Sequence, residues 1–362
     1  MTDDRARDAR LVVGNYVEPY LGTPLSDAKG VKSVRLEGGT LTVEVQLGFP
    51  LGAYAEELRG ALEARLAAAV GGPVRVDVRW EVAAQPLAGG RQPLPGIRNV
   101  VAVASGKGGV GKSTVAVNLA LSLALDGARV GLLDADIYGP SQPRMLGLAG
   151  QRPRSRDGRR IEPLEAHGVR AMSIGFLIEE EQPMVWRGPM VTQALTQLLG
   201  DTEWGELDYL LVDMPPGTGD IQLTLSQRVP VSGALIVTTP QDIALLDARK
   251  GLRMFEKVAV PVLGIIENMS VHVCSRCGHA EPIFGEGGGR RMAEEYGVGL
   301  LGQVPLDIRI REQTDSGRPT AVADADGPLG RAWRDIARRT AARLSQPGSG
   351  ATAPPRITVE ET

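Results

Sequence analysis

Residues 100–125 constrain this chain more than any other stretch. The apolar run Val100-Val101-Ala102-Val103-Ala104 leads directly into Gly106-Lys107-Gly108-Gly109-Val110-Gly111-Lys112-Ser113, and Val115 to Leu125 continues as an apolar-rich helix. A buried strand, a glycine-rich loop and a helix in that order make a phosphate-binding loop. The glycines let successive backbone N–H groups turn toward phosphate oxygens, and the helix adds the positive end of its dipole. Lys112 supplies charge to the β and γ phosphates and the Ser113 hydroxyl can ligate Mg²⁺, with Thr114 next in the ATP-binding run. The pattern predicts a chain that binds and hydrolyses ATP with Mg²⁺.

The rest of the chain fits a frame around that loop. Short apolar runs recur at Val130-Leu133, Tyr209-Val212, Ala234-Val237, Val262-Ile266 and Leu300-Leu301, with helical patterns between most of them. Such runs are the mark of parallel strands covered on both faces, so the expected fold is α/β, a doubly wound, mostly parallel sheet with ligands at the carboxyl ends of its strands. Ahead of it, residues 1–85 read as helix, strand, strand, helix, strand, a small α+β domain. Residues 86–95, broken by Pro and Gly, read as a linker, 96–345 as the ATPase domain, and 346–362 as a disordered tail.

Composition narrows the function. A formal net charge of -3 gives no global field to recruit nucleic acid or acidic lipid. The N-terminus lacks a signal-peptide pattern and no apolar run approaches membrane-spanning length, so a cytoplasmic protein with neither nucleic acid nor membrane as partner is expected. The basic pattern Arg331, Arg334, Arg338, Arg339, Arg343 around Trp333, Ile336 and Leu344 reads as a closing surface helix with a solvated charged face, and the basic run 152–160 as a solvated loop.

Further carboxylates gather at predicted strand ends. Gly131-Leu132-Leu133-Asp134-Ala135-Asp136 presents two acids where the γ phosphate should lie, although Asp134 alone would also suit a turn or helix cap. Tyr209-Leu210-Leu211-Val212-Asp213 delivers a third, placed to hold Mg²⁺ through water, and Gly217 in Met214-Pro215-Pro216-Gly217-Thr218-Gly219-Asp220 has an N–H that could sense the γ phosphate. Phosphoryl transfer asks mainly for alignment and charge neutralisation, which this set supplies.

The only two cysteines stand in His272-Val273-Cys274-Ser275-Arg276-Cys277-Gly278-His279. One pair is half of a tetrahedral thiolate site, and a symmetric dimer would bring two pairs around a [4Fe–4S] cluster on its axis. Three other readings stay open: a zinc site within one chain using His272, Cys274, Cys277 and His279, a redox dithiol, and an inert pair in a turn. The zinc reading needs eight residues to wrap one ion very tightly.

Lys107 has no place in the ordinary phosphate-loop pattern. Lys107-Gly108-Gly109-Val110-Gly111-Lys112-Ser113 resembles the deviant loop of the MinD and ParA class, which implies a homodimer in which this lysine reaches the partner's nucleotide. The same resemblance implies that Asp136 positions or activates the attacking water, that Asp134 supports the magnesium shell beside Ser113 and Asp213, and that Asn268 and Pro305-Leu306-Asp307 lie against adenine. Taken with Asp136-Ile137-Tyr138-Gly139-Pro140-Ser141, Trp186-Arg187-Gly188-Pro189-Met190, Asn268-Met269-Ser270 and the cysteine pair, residues 96–345 resemble the Mrp/ApbC family of iron–sulfur cluster carrier ATPases. MinD and ParA relatives share the loop but lack the cysteines. Membership would imply a slow ATPase that holds a [4Fe–4S] cluster between subunits at Cys274 and Cys277 and passes it to apo iron–sulfur proteins after loading by a donor. ATP would control holding or release. The competing readings are a positioning ATPase acting on membrane or DNA and a zinc-knuckle ATPase. The front domain resembles the small domain often fused ahead of these ATPases. It has no cysteine, and Tyr20-Leu21-Gly22-Thr23-Pro24-Leu25 lacks that domain's acidic Asp-Pro pair.

Overall fold

The computed structural model describes residues 2–87, 91–155, 158–178 and 188–346. Trp186 and Arg187, residues 88–90 of the expected linker, residues 156–157 of the basic run and all but the first residue of the expected 346–362 tail lie outside the described residues.

The front region is α+β. Helices α1 (Thr2–Gly14) and α2 (Tyr54–Val70) pack against a sheet ordered β3 (Val31–Glu37), β4 (Thr40–Leu47), β5 (Val74–Trp80), while the short strands β1 (Val17–Glu18) and β2 (Thr23–Pro24) pin the loop between α1 and β3. Its core follows from two periodicities. Leu41, Val43, Val45 and Leu47 alternate inward along β4, and Leu58, Leu62 and Leu66 recur every fourth residue on α2. An acid followed by proline does occur here, as Glu18-Pro19, just ahead of the segment that lacks an Asp-Pro pair. The Glu18 carboxylate is fully buried and accepts from the Tyr54 hydroxyl at 2.6 Å and from the Tyr20 and Leu21 N–H groups at 2.9 and 2.6 Å.

Behind it stands the doubly wound sheet. In chain order its first half contains β6 (Ile97–Ala104), α3 (Lys112–Leu125), β7 (Val130–Asp134), α4 (Gln142–Met145), β8 (Leu164–Ala166), β9 (Val169–Ser173), α5 (Gly188–Asp201) and β10 (Leu207–Asp213). The second half adds α6 (Asp220–Arg228), β11 (Gly233–Thr238), α7 (Asp242–Lys257), β12 (Val262–Val273), β13 (Ala280–Glu281), α8 (Gly288–Tyr296), β14 (Gly299–Leu306), α9 (Ile308–Asp315), α10 (Thr320–Ala323) and α11 (Pro328–Ser345). The strands run β13-β12-β11-β6-β10-β7-β9-β8, with β14 beside β12, and all pairings are parallel except those of β13 and β8. The chain leaves β6 toward β10 and β7 first and returns to its other side through β11, so the phosphate loop sits where the winding reverses.

Two expectations change. The sequence pattern ends the strand at Ile266, but β12 runs on to Val273, because residues beyond Asn268 pair with β14 and then with β13. The register shifts between Asn268 and His272, where Met269 adopts φ 56°, so an irregularity separates the two halves of the strand. The second change concerns α11. Arg331, Arg339 and Arg343 are exposed as expected, but Arg338 is buried and holds Asp126 with two bonds, Nε to Oδ2 at 2.7 Å and Nη2 to Oδ1 at 2.8 Å.

That ion pair anchors the front region. Asp126 closes α3, where the negative end of the helix dipole would oppose a carboxylate, and the guanidinium offsets it. Arg338 lies over the rings of Tyr20 and Tyr54 at 5.8 and 5.5 Å, and Tyr20 donates to Asp335 at 2.8 Å. Burial alone would lower the Arg338 pKa, but its bonds to Asp126 raise it overall. Gly52, with φ 50°, donates its N–H to the Asp126 carbonyl, and a Cβ there would stand 2.2 Å from Asp126 Oδ1. The front region is therefore clamped to the end of α3 and the middle of α11.

Candidate nucleotide and thiol site

The phosphate loop is shaped by what presses on it. A Cβ on Gly106 would lie 2.1 Å from the backbone of Asp247 in α7, so the loop can pass only as glycine. Gly111 has φ 82°, and a Cβ there would meet Asn268 Nδ2 at 2.2 Å. That amide donates to the Val110 carbonyl at 2.9 Å. Asn268, expected near adenine, thus holds the loop itself. No side chain caps the first turn of α3, which leaves its N–H groups open to an anion.

Around Lys112 the carboxylates converge. Parallel pairing sets Asp213 of β10 directly opposite Asp134 of β7. Lys112 Nζ donates to Asp213 Oδ1, lies 3.2 Å from Ser113 Oγ and is 4.0 Å from Asp136 Oδ2. Burial and the Asp213 charge push the Asp134 pKa up to about 7, against the lowering by the Gln142 and Asp136 N–H groups and by Lys112. Burial also raises that of Asp136, which Lys112 opposes.

The oxygens are used differently. Asp134 accepts from the N–H groups of Asp136, Ser141 and Gln142 and from Ser173 Oγ, at 3.0 to 3.1 Å, so it organises the turn after β7 and acts as the cap that its sequence also allowed. Asp136 keeps a largely buried carboxylate beside Lys112, its side chain 13% exposed. Gln142 joins the site without having been expected there. Its Nε2 donates to Asp213 Oδ2 at 2.8 Å and to the Ser113 carbonyl at 3.1 Å, while Gln142 Oε1 and Ser141 Oγ are buried without a partner among the described residues. Its only sequence signal is its place shortly beyond the Asp134-Ala135-Asp136 run. Ser113, Asp213 and Gln142, linked through these bonds beside Lys112, offer oxygen donors of the kind that suits Mg²⁺ and a polyphosphate.

Gly217 is held near the loop. Its φ is 100°, its N–H donates to the Ser105 carbonyl at 2.9 Å, and Gln222 Nε2 donates to the Pro216 carbonyl. Lys107 is half-buried, its carbonyl accepting from Ser105 Oγ at 2.9 Å, and Gly108 and Gly109 face open space. Pro305 lies in β14. Asp307 caps α9 through the Arg309 N–H at 2.9 Å and pairs with the Arg309 guanidinium, which holds its pKa below the usual carboxylate range.

The cysteines occupy the tip of a hairpin rather than a free loop. β12 returns as β13 with His272 opposite Glu281 and Val273 opposite Ala280, closed by Cys274 N–H to the His279 carbonyl and Gly278 N–H to the Cys274 carbonyl. Cys277 is exposed and Cys274 half-exposed, both as free thiols. The Arg276 and Cys277 N–H groups, then the Cys277 side chain, lower the Cys274 pKa. Among the described residues no three His, Cys, Asp or Glu side chains are grouped as a metal ion would require, so the four zinc ligands considered from sequence are not assembled within one chain. Nor is any described helix long and apolar enough to cross a membrane.

Comparison with known proteins agrees with this architecture. Residues 96–341 match the model of the NUBPL iron-transfer P-loop NTPase, and residues 10–80 that of an iron–sulfur cluster assembly protein. The iron–sulfur cluster carrier protein of Haemophilus influenzae is 51% identical over 350 residues, covering 96% of this chain and 95% of that protein. The iron–sulfur cluster transfer protein NUBPL of Mus musculus is 52% identical over 256 residues, 70% of this chain and 80% of that one. Among solved structures, a nucleotide-binding protein from Archaeoglobus fulgidus in complex with ADP superposes with a TM-score of 0.55 at 40% identity, over 61% of this chain and 87% of that one. A two-lysine phosphate loop, acids in register behind it and paired thiols at a hairpin tip on the same sheet identify the chain as a member of the iron-transfer P-loop NTPase family, carrying an iron–sulfur assembly region at its front.

Proposed function

We propose that the chain is a homodimeric ATPase that carries a [4Fe–4S] cluster between subunits and delivers it to apo iron–sulfur proteins. The observation that carries this reading is the span of β12. One strand bears Asn268, which grips the phosphate loop, and ends next to Cys274, so thiols and nucleotide site share a single element. Two thiols per chain are half of what a cubane cluster needs, and a twofold axis at the hairpin tips supplies the other half. Relatives carrying the name of iron–sulfur cluster carrier across nearly the whole length support the cargo.

In this reading the open N–H groups of α3 and Lys112 bind the β and γ phosphates, while Ser113, Asp213 and, through the turn it organises, Asp134 arrange the magnesium shell. Mg²⁺ supplies charge neutralisation for the transfer. Asp136, the largely buried acid beside Lys112, aligns the water. Lys107 reaches the partner's nucleotide and links ATP to dimer closure, and Gly217 exchanges its Ser105 partner for phosphate. The coupling makes this a slow switch.

Anaerobic reconstitution with iron and sulfide tests the proposal. The expected product is a brown dimer with about four irons, colourless in Cys274→Ala and Cys277→Ala and unable to activate an apo iron–sulfur enzyme. Lys107→Ala should bind ATP yet lose nucleotide-dependent dimerisation and transfer. A colourless protein with one zinc per chain would overturn the reading.

A further inference from the structure

Beside the nucleotide site, α6 and α7 part to leave a cavity of about 770 Å³ that the ATPase chemistry does not use. Leu223 of α6 and Met254 of α7 give it apolar walls, and Arg249, Lys250, Arg253 and Lys257 bring positive charge from α7. Three of those four cations are shared with the protein's own acids. Arg249 pairs with Glu295 at 2.7 Å, Lys250 with Asp247 at 2.9 Å and Arg253 with Glu256 at 2.9 Å.

Two connections tie this groove to the nucleotide loops. Thr218 lines it and follows Gly217, whose N–H is bonded to Ser105 at the entrance of the phosphate loop. Its other wall, α7, is the helix whose Asp247 backbone leaves Gly106 no room for a side chain. Any shift of the Gly217 loop relative to α7 changes the groove's width.

From this juxtaposition we infer that the α6–α7 groove is a docking site for an acidic segment of a partner protein, one that buries an apolar side chain against Leu223 and Met254, with an affinity set by the bound nucleotide. The chemistry selects this class of partner. Cations around an apolar floor favour alternating acidic and apolar side chains, and methionine adapts to varied shapes. The interleaved Glu256, Asp247 and Glu295 oppose the unbroken phosphate charge of a nucleic acid, which a peptide can accommodate by placing uncharged side chains against them. The inference does not depend on the cluster, so it can fail while the carrier reading stands.

The test uses the full-length protein and a fluorescein-labelled twelve-residue probe of alternating Glu and Leu, read by anisotropy with ADP and with a non-hydrolysable ATP analogue. Saturable binding should differ at least about threefold between the nucleotides, and Arg253→Glu with Lys257→Glu should weaken it by about tenfold or more. Both residues are exposed, and an unchanged melting temperature would establish that the variant is folded. The same variant should gain affinity for a Lys and Leu probe, which a misfolded protein would not. Failure to bind, an affinity untouched by the charge reversal, or equal affinity in the two nucleotide states overturns the inference. So does displacement of the peptide by a short single-stranded oligonucleotide at lower concentration than by unlabelled peptide, which would make the groove a nucleic-acid site.

Discussion

Lys112 of the phosphate loop donates to Asp213 of β10, a carboxylate with no exposure to solvent. The lysine therefore compensates two buried acids, Asp213 and Asp134, before any phosphate arrives. Removing one member of a buried ion pair costs about 3–5 kcal/mol because the other charge is stranded. Lys112→Ala should thus lower ligand-free stability by about that amount in urea melts, and slow hydrolysis by at least about a hundredfold. Mg²⁺ should restore more stability to the variant than to the native protein, since the cation replaces the lost charge. Equal responses would contradict this account.

Gly108 separates binding from folding. A Cβ at this position would meet no atom within 4 Å, and its backbone has no left-handed φ, unlike that of Gly111. Gly108→Ala should change stability by less than about 0.5 kcal/mol, yet reduce ATP turnover at least about tenfold if the open space is the phosphate cradle. Thermal melts beside a phosphate-release assay decide it.

Arg338→Ala should cost about 3–5 kcal/mol, because Asp126 is left buried and two tyrosine faces lose their cation. A double-mutant cycle with Asp126→Asn should give a coupling of about 2 kcal/mol or more. The damage should appear first as protease sensitivity of the front region, with nucleotide binding retained. Coupling near zero would show that the front region is held by other contacts.

The pKa of Glu18 is raised by burial, with the bonds from Tyr54, Leu21 and Tyr20 opposing. A carboxylate whose folded pKa lies above its unfolded value stabilises fully below the unfolded value and loses that contribution as pH rises through the folded one. Glu18→Gln, which keeps an oxygen for the backbone donors, should therefore be more stable relative to native at pH 7 than below about pH 4, where the native side chain is also neutral. A stability difference independent of pH would refute the linkage.

The phosphate loop and the buried strands around it are legible because glycine spacing and apolar runs are local patterns. Asp134, Asp136 and Asp213 can be found at strand ends for the same reason, and the register of β7 against β10 brings the first and last together. Gln142 is invisible in the sequence, since its bonds to Asp213 and Ser113 depend on a turn that the Asp134 contacts fold back. Arg338 looks solvated because basic amphipathic spacing cannot reveal that one face of α11 meets Asp126, 212 residues earlier. The full length of β12 is hidden because Met269 interrupts its alternation with a left-handed residue. What escapes is in each case a consequence of distant parts meeting.

The irregularity at Met269 gives β12 the character of a jointed lever. Its inner half is locked between β11 and β14, with Asn268 gripping the phosphate loop, while its outer half pairs only with Leu306 and the two residues of β13 among the described strands. A small displacement at the grip would sweep the hairpin tip through a larger arc, the joint serving as fulcrum. In the homodimer proposed above, two such levers facing one another would work as tongs, closing or parting their thiols according to what each hand holds.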